Sequence, residues 1–224
     1  WRRLQQEVAQ PRAPQRTRAI SVYVHVPFCD RRCGFCDCYS VPLVSTHRRR
    51  EFAFDEALRA EIDAWARAGD LRHRPVTTLH FGGGSPNCLD ARLFAALVRH
   101  FRTALGISDT TELALESTAS LLVGDGLTRL EDLGFTRLHV GVQTLDDLLR
   151  ARLGRRGDGE QALAEFARAV GRKWVVSADL LYGVPGQTLA DLLATLARLA
   201  DAGIHGFSLY QLQTSRRNQR WFER

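Results

Sequence analysis

Cys29-Asp30-Arg31-Arg32-Cys33-Gly34-Phe35-Cys36, entered from Val22-Tyr23-Val24-His25-Val26-Pro27-Phe28, decides the reading of this chain. The entering run reads as a short β-strand. Three cysteines then fall within eight residues of a loop. Thiolates this close can hold a metal ion or an iron–sulfur cluster. A [4Fe–4S] cluster has four irons, so three protein thiolates would leave one iron open to another ligand. A disulfide competes, but nothing in the chain suggests secretion, and disulfides are rare in the cytosol. A structural zinc site competes as well. Cys38, two residues beyond Cys36, adds a fourth thiol, and four thiolates make a closed site. If Cys38 bound the fourth iron, no open position would remain; it is expected to pack or to face the substrate side. Cys88 is remote in sequence and reads as an inert small apolar residue.

Outward from this loop, short apolar strands alternate with longer amphipathic segments. The expected strands are 20–26, 76–81, 112–116, 137–142, 174–181 and 207–213. The expected helices are 51–68, 90–105, 120–133, 145–153, a second helix from the glycine-rich break at 154–159 to about 170, and 189–202. The first helix carries Phe54, Leu58, Ile62 and Trp65 at helical spacing, and Arg48-Arg49-Arg50 opens it. Gly106, Gly134 and Gly203 stand as helix stops. Strict alternation implies parallel strands with helical crossovers. It does not by itself separate a closed barrel from an open doubly wound sheet.

The placement of polar residues helps. Side chains alternate between faces along a strand. Val22, Val24 and Val26 oppose Tyr23 and His25; Leu113 and Leu115 oppose Glu112 and Glu116. Leu138, Val140 and Val142 oppose His139 and Gln143; Val176, Ala178 and Leu180 oppose Ser177 and Asp179. In the last strand Tyr210 and Leu212 oppose Gln211 and Gln213. Glu116, Gln143, Asp179 and Gln213 therefore gather at the C-terminal strand ends, the rim where parallel α/β proteins bind ligands. A carboxylate is costly in a packed core and tolerable in a polar cavity. Gly82-Gly83-Gly84-Ser85-Pro86 follows the second strand; without side chains its backbone can approach a ligand closely. Alone it equally suits a tight βα turn.

The 224 residues suffice for one large α/β domain. The chain carries 31 Lys and Arg against 25 Asp and Glu. That surplus suits acidic small molecules as well as nucleic acid. The basic residues are scattered over helices, so solvated faces are expected rather than a nucleic-acid site. The chain contains no methionine, hence no initiator, and is read as a fragment. Residues 1–18 are polar and basic, without the apolar core of a secretory signal. No run approaches the ~20 apolar residues of a membrane span. The cytoplasm is the expected compartment.

The cysteine spacing resembles the signature of the radical S-adenosylmethionine (radical SAM) enzymes. The flanking Tyr-x-His-x-Pro-Phe-Cys narrows the resemblance to the subgroup of oxygen-independent coproporphyrinogen III oxidases and their haem-chaperone relatives. It runs from about Ile20 to Gln213. The resemblance implies an α/β fold, a partial (β/α)6 barrel of parallel strands with outer helices. It implies two cofactors, a [4Fe–4S] cluster on Cys29, Cys33 and Cys36 and S-adenosylmethionine on the open iron. Tyr23 would contact S-adenosylmethionine at the cluster, and the backbone around Phe35 would lie against the adenine. Gly83, Gly84 and Ser85 belong to the glycine motif that meets the amino group, with Ser85 where Thr is usual. Glu116 would hold a polar group of the nucleotide or methionine part. Gly141-Val142-Gln143 matches the family's Gly-Val-Gln, and its arginine twelve residues later falls on Arg155. Asp179-Leu180-Leu181-Tyr182-Gly183-Val184-Pro185-Gly186-Gln187-Thr188 resembles Asp-Leu-Ile-Tyr-Gly-Leu-Pro-x-Gln-Thr, in which Asp179 binds S-adenosylmethionine. Gln213 completes the cofactor rim.

The implied chemistry is one-electron cleavage of S-adenosylmethionine by a cluster that an external donor reduces. The resulting 5′-deoxyadenosyl radical then abstracts hydrogen from a small-molecule substrate, a porphyrinogen or haem by this likeness. With coproporphyrinogen III the outcome is oxidative decarboxylation of propionates to vinyl groups. A haem-binding chaperone and a radical methyltransferase on the same scaffold are the alternatives. The sequence departs from the subgroup at Ser117-Thr118-Ala119 after Glu116 and at Tyr39-Ser40. The expected organisation is a basic extension over 1–18, the core barrel over 19–215, and the start of a truncated C-terminal region over 216–224.

Overall fold

The computed structural model describes residues 19–43, 48–68, 74–216 and 218–222. The extension expected over 1–18 lies outside them. In chain order the elements are β1 (Ile20–Val26), β2 (Phe28–Cys29), β3 (Val41–Pro42), α1 (Arg48–Ala68), β4 (Val76–Gly83), α2 (Ala91–Leu105), β5 (Glu112–Thr118) and α3 (Gly126–Asp132). There follow β6 (Arg137–Gln143), α4 (Asp147–Arg152), α5 (Gly159–Gly171), β7 (Val175–Tyr182), α6 (Leu189–Asp201), β8 (Gly206–Gln211) and α7 (Gln219–Phe222). Single 3-10 turns occupy Pro86–Cys88 and Ala119–Leu121.

Six strands form one sheet in the order β1-β4-β5-β6-β7-β8, every pair parallel. The order is sequential and never reverses, so the sheet lacks the switch point of a doubly wound fold. Right-handed crossovers then carry every helix to the same face. Among the described residues β1 and β8 do not pair. The fold is thus a partial (β/α)6 barrel, open between its first and last strands. A second, two-residue parallel pair joins β2 to β3 and closes the base of the cysteine loop. Two residues on each side are too few for any periodicity to mark that pair.

The outer face of the sheet is the core. Val24, Val26, Leu79, Phe81, Leu113, Leu115, Leu138 and Val140 are buried there, each worth about 1.5–3 kcal/mol against exposure. The Phe81 ring meets Phe94 and Phe101 of α2 edge-on, both at 5.6 Å. Local signals set the helix ends. Asp90 caps α2 by accepting from the N–H groups of Arg92 and Leu93, and Gly106 ends it at φ 61°. Thr188 and Asp191 form a reciprocal capping box on α6.

Two expectations need correction. The helix expected over 120–133 is a 3-10 turn followed by the shorter α3. Gly124 at φ 70° lies between them, a left-handed residue that a continuous helix does not contain. The last strand ends at Gln211, so Gln213 lies beyond it. Its phase also differs from expectation. Asp179 pairs with Ser208, Leu181 with Tyr210 and Tyr182 with Gln211. Ser208 and Tyr210 therefore share the face of Asp179, while Gln211 takes the opposite one.

Candidate cofactor site

The C-terminal ends of the strands carry the cysteine loop and the polar rim together. The loop leaves β1 through β2, turns at Cys33–Cys36 with the Cys36 N–H donating to the Cys33 carbonyl at 3.2 Å, and returns through β3. Cys29, Cys33 and Cys36 are half-buried free thiols. Each meets a hydrogen-bond donor from outside the three. The Arg155 guanidinium donates to Cys33 Sγ at 3.3 Å. Ser40 and Ser85 side chains bond Cys29, and Cys38 and Ser40 bond Cys36. Burial, followed by the neighbouring thiols, still pushes Cys29 up despite its two serines. At Cys36 the bond from Cys38 outweighs burial and pulls the thiol down to about 6; the same contact, with burial, drives Cys38 up. Donors placed on sulfur favour the thiolate, the form that binds metal. Among the described residues no three His, Cys, Asp or Glu side chains converge as a single ion requires. In a [4Fe–4S] cluster each thiolate takes its own iron, and three such thiols stand on this one loop. Cys88 lies outside this set, its thiol raised mainly by burial.

The glycine run lies against the loop, and its own surroundings account for each glycine. A Cβ on Gly84 would stand 2.1 Å from the Phe28 carbonyl oxygen, and one on Gly82 would stand 2.5 Å from the Glu116 carboxylate. Gly83 adopts φ 104°, beneath the His25 ring. The N–H groups of Gly83, Gly84 and Ser85 donate to Glu116 Oε2 (2.9 Å), the Val26 carbonyl (2.8 Å) and the Phe28 carbonyl (2.7 Å). These donors are engaged within the protein.

Below the rim the barrel is lined by titratable rings. Glu116 pairs in register with His139 and stands 3.3 Å from His80 Nε2. Burial alone would raise Glu116, but the His80 contact and the Gly83 N–H outweigh it and hold the carboxyl below its usual range. His80 and His139 stack at 5.2 Å with their planes 10° apart. His139 Nδ1 lies 2.7 Å from Ser177 Oγ. Burial, then repulsion from His80, holds His139 below its usual value. Tyr23 stands edge-on to His80 at 5.4 Å, and burial followed by the Glu116 charge raises its hydroxyl. Asp179 bonds Ser208, yet burial leaves its carboxyl raised. The geometry thus brings Tyr23, Glu116, His139 and Asp179 to one lumen.

Gln143 is buried at the end of β6 and adopts φ 70°, an uncommon and strained conformation for a side-chain-bearing residue. Arg155 spans from Cys33 to the Gly141 carbonyl. The Asp179 segment is also structural: Gln187 donates to the Leu181 carbonyl at 3.0 Å and accepts from the Val184 N–H. Gln213 lies beyond β8 and is exposed, its carbonyl accepting from Asn218. His80, Ser40, Ser208 and Asn218 were not singled out from the sequence. His80 was legible, in phase two residues before Gly82; Ser40 and Asn218 act through contacts distant in sequence.

The Radical SAM superfamily profile matches residues 23–199. Anaerobilin synthase of Escherichia coli O157:H7 is 30% identical over 216 residues, 95% of this chain and 46% of that protein. The oxygen-independent coproporphyrinogen III oxidase of Escherichia coli K12 is 32% identical over 86% of this chain and 42% of its own length. A haem chaperone of Buchnera aphidicola is 27% identical over 86% of this chain and 50% of its own. The solved structure of Escherichia coli coproporphyrinogen III oxidase superposes with a TM-score of 0.86 at 27% identity, covering all of this chain and 50% of that one. The chain spans about half the length, or less, of the relatives it matches.

Proposed function

The chain belongs to the radical SAM superfamily, and from that premise we propose that its barrel rim generates a radical for a porphyrinogen-type substrate. Its cofactors are a [4Fe–4S] cluster and S-adenosylmethionine. When bound, they supply one-electron cleavage of a sulfonium C–S bond and a radical able to abstract hydrogen. Cys29, Cys33 and Cys36 hold the cluster. The observation that carries this reading is the donor on each of these three thiols, above all Arg155 on Cys33.

The other residues position the second cofactor. With the N–H groups of Gly83, Gly84 and Ser85 engaged, the glycine run meets an ammonium group through its carbonyls. Glu116, held ionised by His80 and Gly83, faces the lumen as an acceptor. Tyr23, Gln143 and Asp179 complete the polar wall around the nucleoside and methionine groups, and the Phe35 backbone lies against the adenine. The substrate is a porphyrinogen and the reaction an oxidative decarboxylation. The electron comes from an external one-electron donor, in the cytoplasm. The core barrel over 19–215 is the catalytic unit. No helix among the described residues is long and apolar enough to cross a membrane.

The haem-chaperone reading stands second, on the 27% identical relative. Anaerobic reconstitution and reduction, followed by addition of S-adenosylmethionine with coproporphyrinogen III or, separately, of haem, distinguish the two. Decarboxylated product supports the oxidase; stoichiometric haem binding without such product supports the chaperone.

A further inference from the structure

The cysteine loop is held from the far end of the chain. Asn218 is buried, 2% exposed, and its side chain is fully engaged. Nδ2 donates to the Phe35 carbonyl at 3.0 Å and to the Gln213 carbonyl at 2.8 Å, while Oδ1 accepts from the Ser215 N–H at 2.7 Å. Ser215 Oγ reaches Asp37 Oδ1 at 3.2 Å. Three residues on, the Trp221 indole N–H donates to the Arg152 carbonyl at 2.6 Å. Its ring fills the space over two glycines: a Cβ on Gly34 would stand 2.1 Å from the indole, and one on Gly154 2.9 Å from it. Gly34 in turn donates its N–H to the Leu153 carbonyl at 3.1 Å. Phe35 and Phe222 pack together against Leu149, Leu153, Leu181 and Val184.

The loop is therefore gripped between the end of α4 and the segment following β8. The grip falls at a telling point. The Phe35 carbonyl and the Cys36 N–H belong to one planar peptide unit. Asn218 holds the carbonyl side of that unit, and the Cys33 carbonyl accepts from its N–H side. Fixing the unit fixes the turn that sets Cys33 and Cys36 apart. We propose that residues 213–216 and 218–222 form a positioning strap for the cofactor loop, with Asn218 holding the Cys33–Cys36 turn and Trp221 wedging it against α4. For the cofactors this rests on the function proposed above; for the loop geometry it does not.

The test uses Asn218→Ala and Trp221→Phe in the whole chain, with two readouts. In the metal-free protein, hydrogen exchange of the amides of residues 33–38 is compared with that of β6. Losing one hydrogen bond is worth about tenfold, so loop exchange should speed about tenfold in Asn218→Ala with β6 unchanged. After reconstitution, S-adenosylmethionine affinity should fall about tenfold, with an altered electron paramagnetic resonance signal from the reduced cluster. Trp221→Phe keeps an aromatic side chain but loses both the N–H bond and the part of the indole that lies over Gly34 and Gly154, and should show a shift of the same kind. Unchanged loop exchange in both variants overturns the strap. Faster loop exchange with unchanged affinity and signal overturns its positioning role. A wild-type protein that binds no S-adenosylmethionine overturns the proposed function, while the exchange readout still decides the strap.

Discussion

The Arg155 guanidinium donates to Cys33 Sγ at 3.3 Å while its other arm reaches the Gly141 carbonyl. One side chain thus joins the loop after the first strand to the end of the fourth strand of the main sheet. The fork geometry matters, because a lysine ammonium cannot reproduce two divergent donors. Arg155→Ala and Arg155→Lys should both lower the midpoint potential of the reconstituted cluster, since a donor on sulfur stabilises the reduced form. Potentiometry checks it; an unchanged potential in both variants would show that the contact does not reach the cluster.

The Cys36–Cys38 contact predicts a reactivity pattern in the metal-free, reduced protein. Cys36 is pulled down to about 6 by the bond from Cys38, so its alkylation by iodoacetamide should be half-maximal near pH 6. Cys38 and Cys88 are raised and should react slowly at neutral pH. Removing the donor with Cys38→Ala should move the Cys36 profile up, toward the ~8.5 of a free thiol. Peptide mapping of alkylated sites across pH reads both effects.

Glu116 is held as a carboxylate by the Gly83 N–H and His80. Glu116→Gln should leave iron content unchanged and weaken S-adenosylmethionine binding. A lost charge-assisted hydrogen bond costs roughly 1.5–3 kcal/mol, about ten- to a hundredfold in affinity. Asp179→Ala and Gln143→Ala should act in the same direction. Equilibrium dialysis with labelled cofactor measures this, and unchanged affinity in all three variants would leave these residues a purely structural part.

His139 gives a pH dependence with a definite sign. Its folded pKa lies below its unfolded value, through burial and then His80, against opposing effects of Asp179 and Glu116. The unfolded chain therefore binds the proton more readily. Its stabilising contribution is complete above the unfolded value of about 6.5 and is lost as pH falls toward the folded one. Denaturant titrations at pH 7.5 and 5.5 should show a larger loss for the wild type than for His139→Asn. Equal losses would mean that His139 titrates normally in the fold.

Much of the architecture was legible because local chemistry and tertiary packing agree. Asp90 and Gly106 bound α2 in sequence and in space, and alternation along β5 and β7 placed Glu116 and Asp179 on the inner face. The last strand shows where that logic weakens. Its outward Phe207 and Leu209 are exposed, so the burial contrast that fixes a strand's phase elsewhere is faint there. Gly124 interrupted a helix whose apolar spacing looked continuous. Candidate site residues were legible where a motif is local. The contacts of Ser40 with two thiols and of Asn218 with Phe35 depend on loop closure over the barrel, which no spacing rule encodes.

The central claim is that three thiolates hold a four-iron cluster and leave one iron for S-adenosylmethionine. Its most direct test is electron paramagnetic resonance of the reduced, reconstituted protein with and without S-adenosylmethionine, in the wild type and in single Cys→Ala variants. Cys29→Ala, Cys33→Ala and Cys36→Ala should each lose the cluster signal. The wild type and Cys38→Ala should keep it and show the change that S-adenosylmethionine produces on binding. Loss of the signal in Cys38→Ala as complete as in the other three would mean a four-thiolate site with no open iron, and would contradict the account.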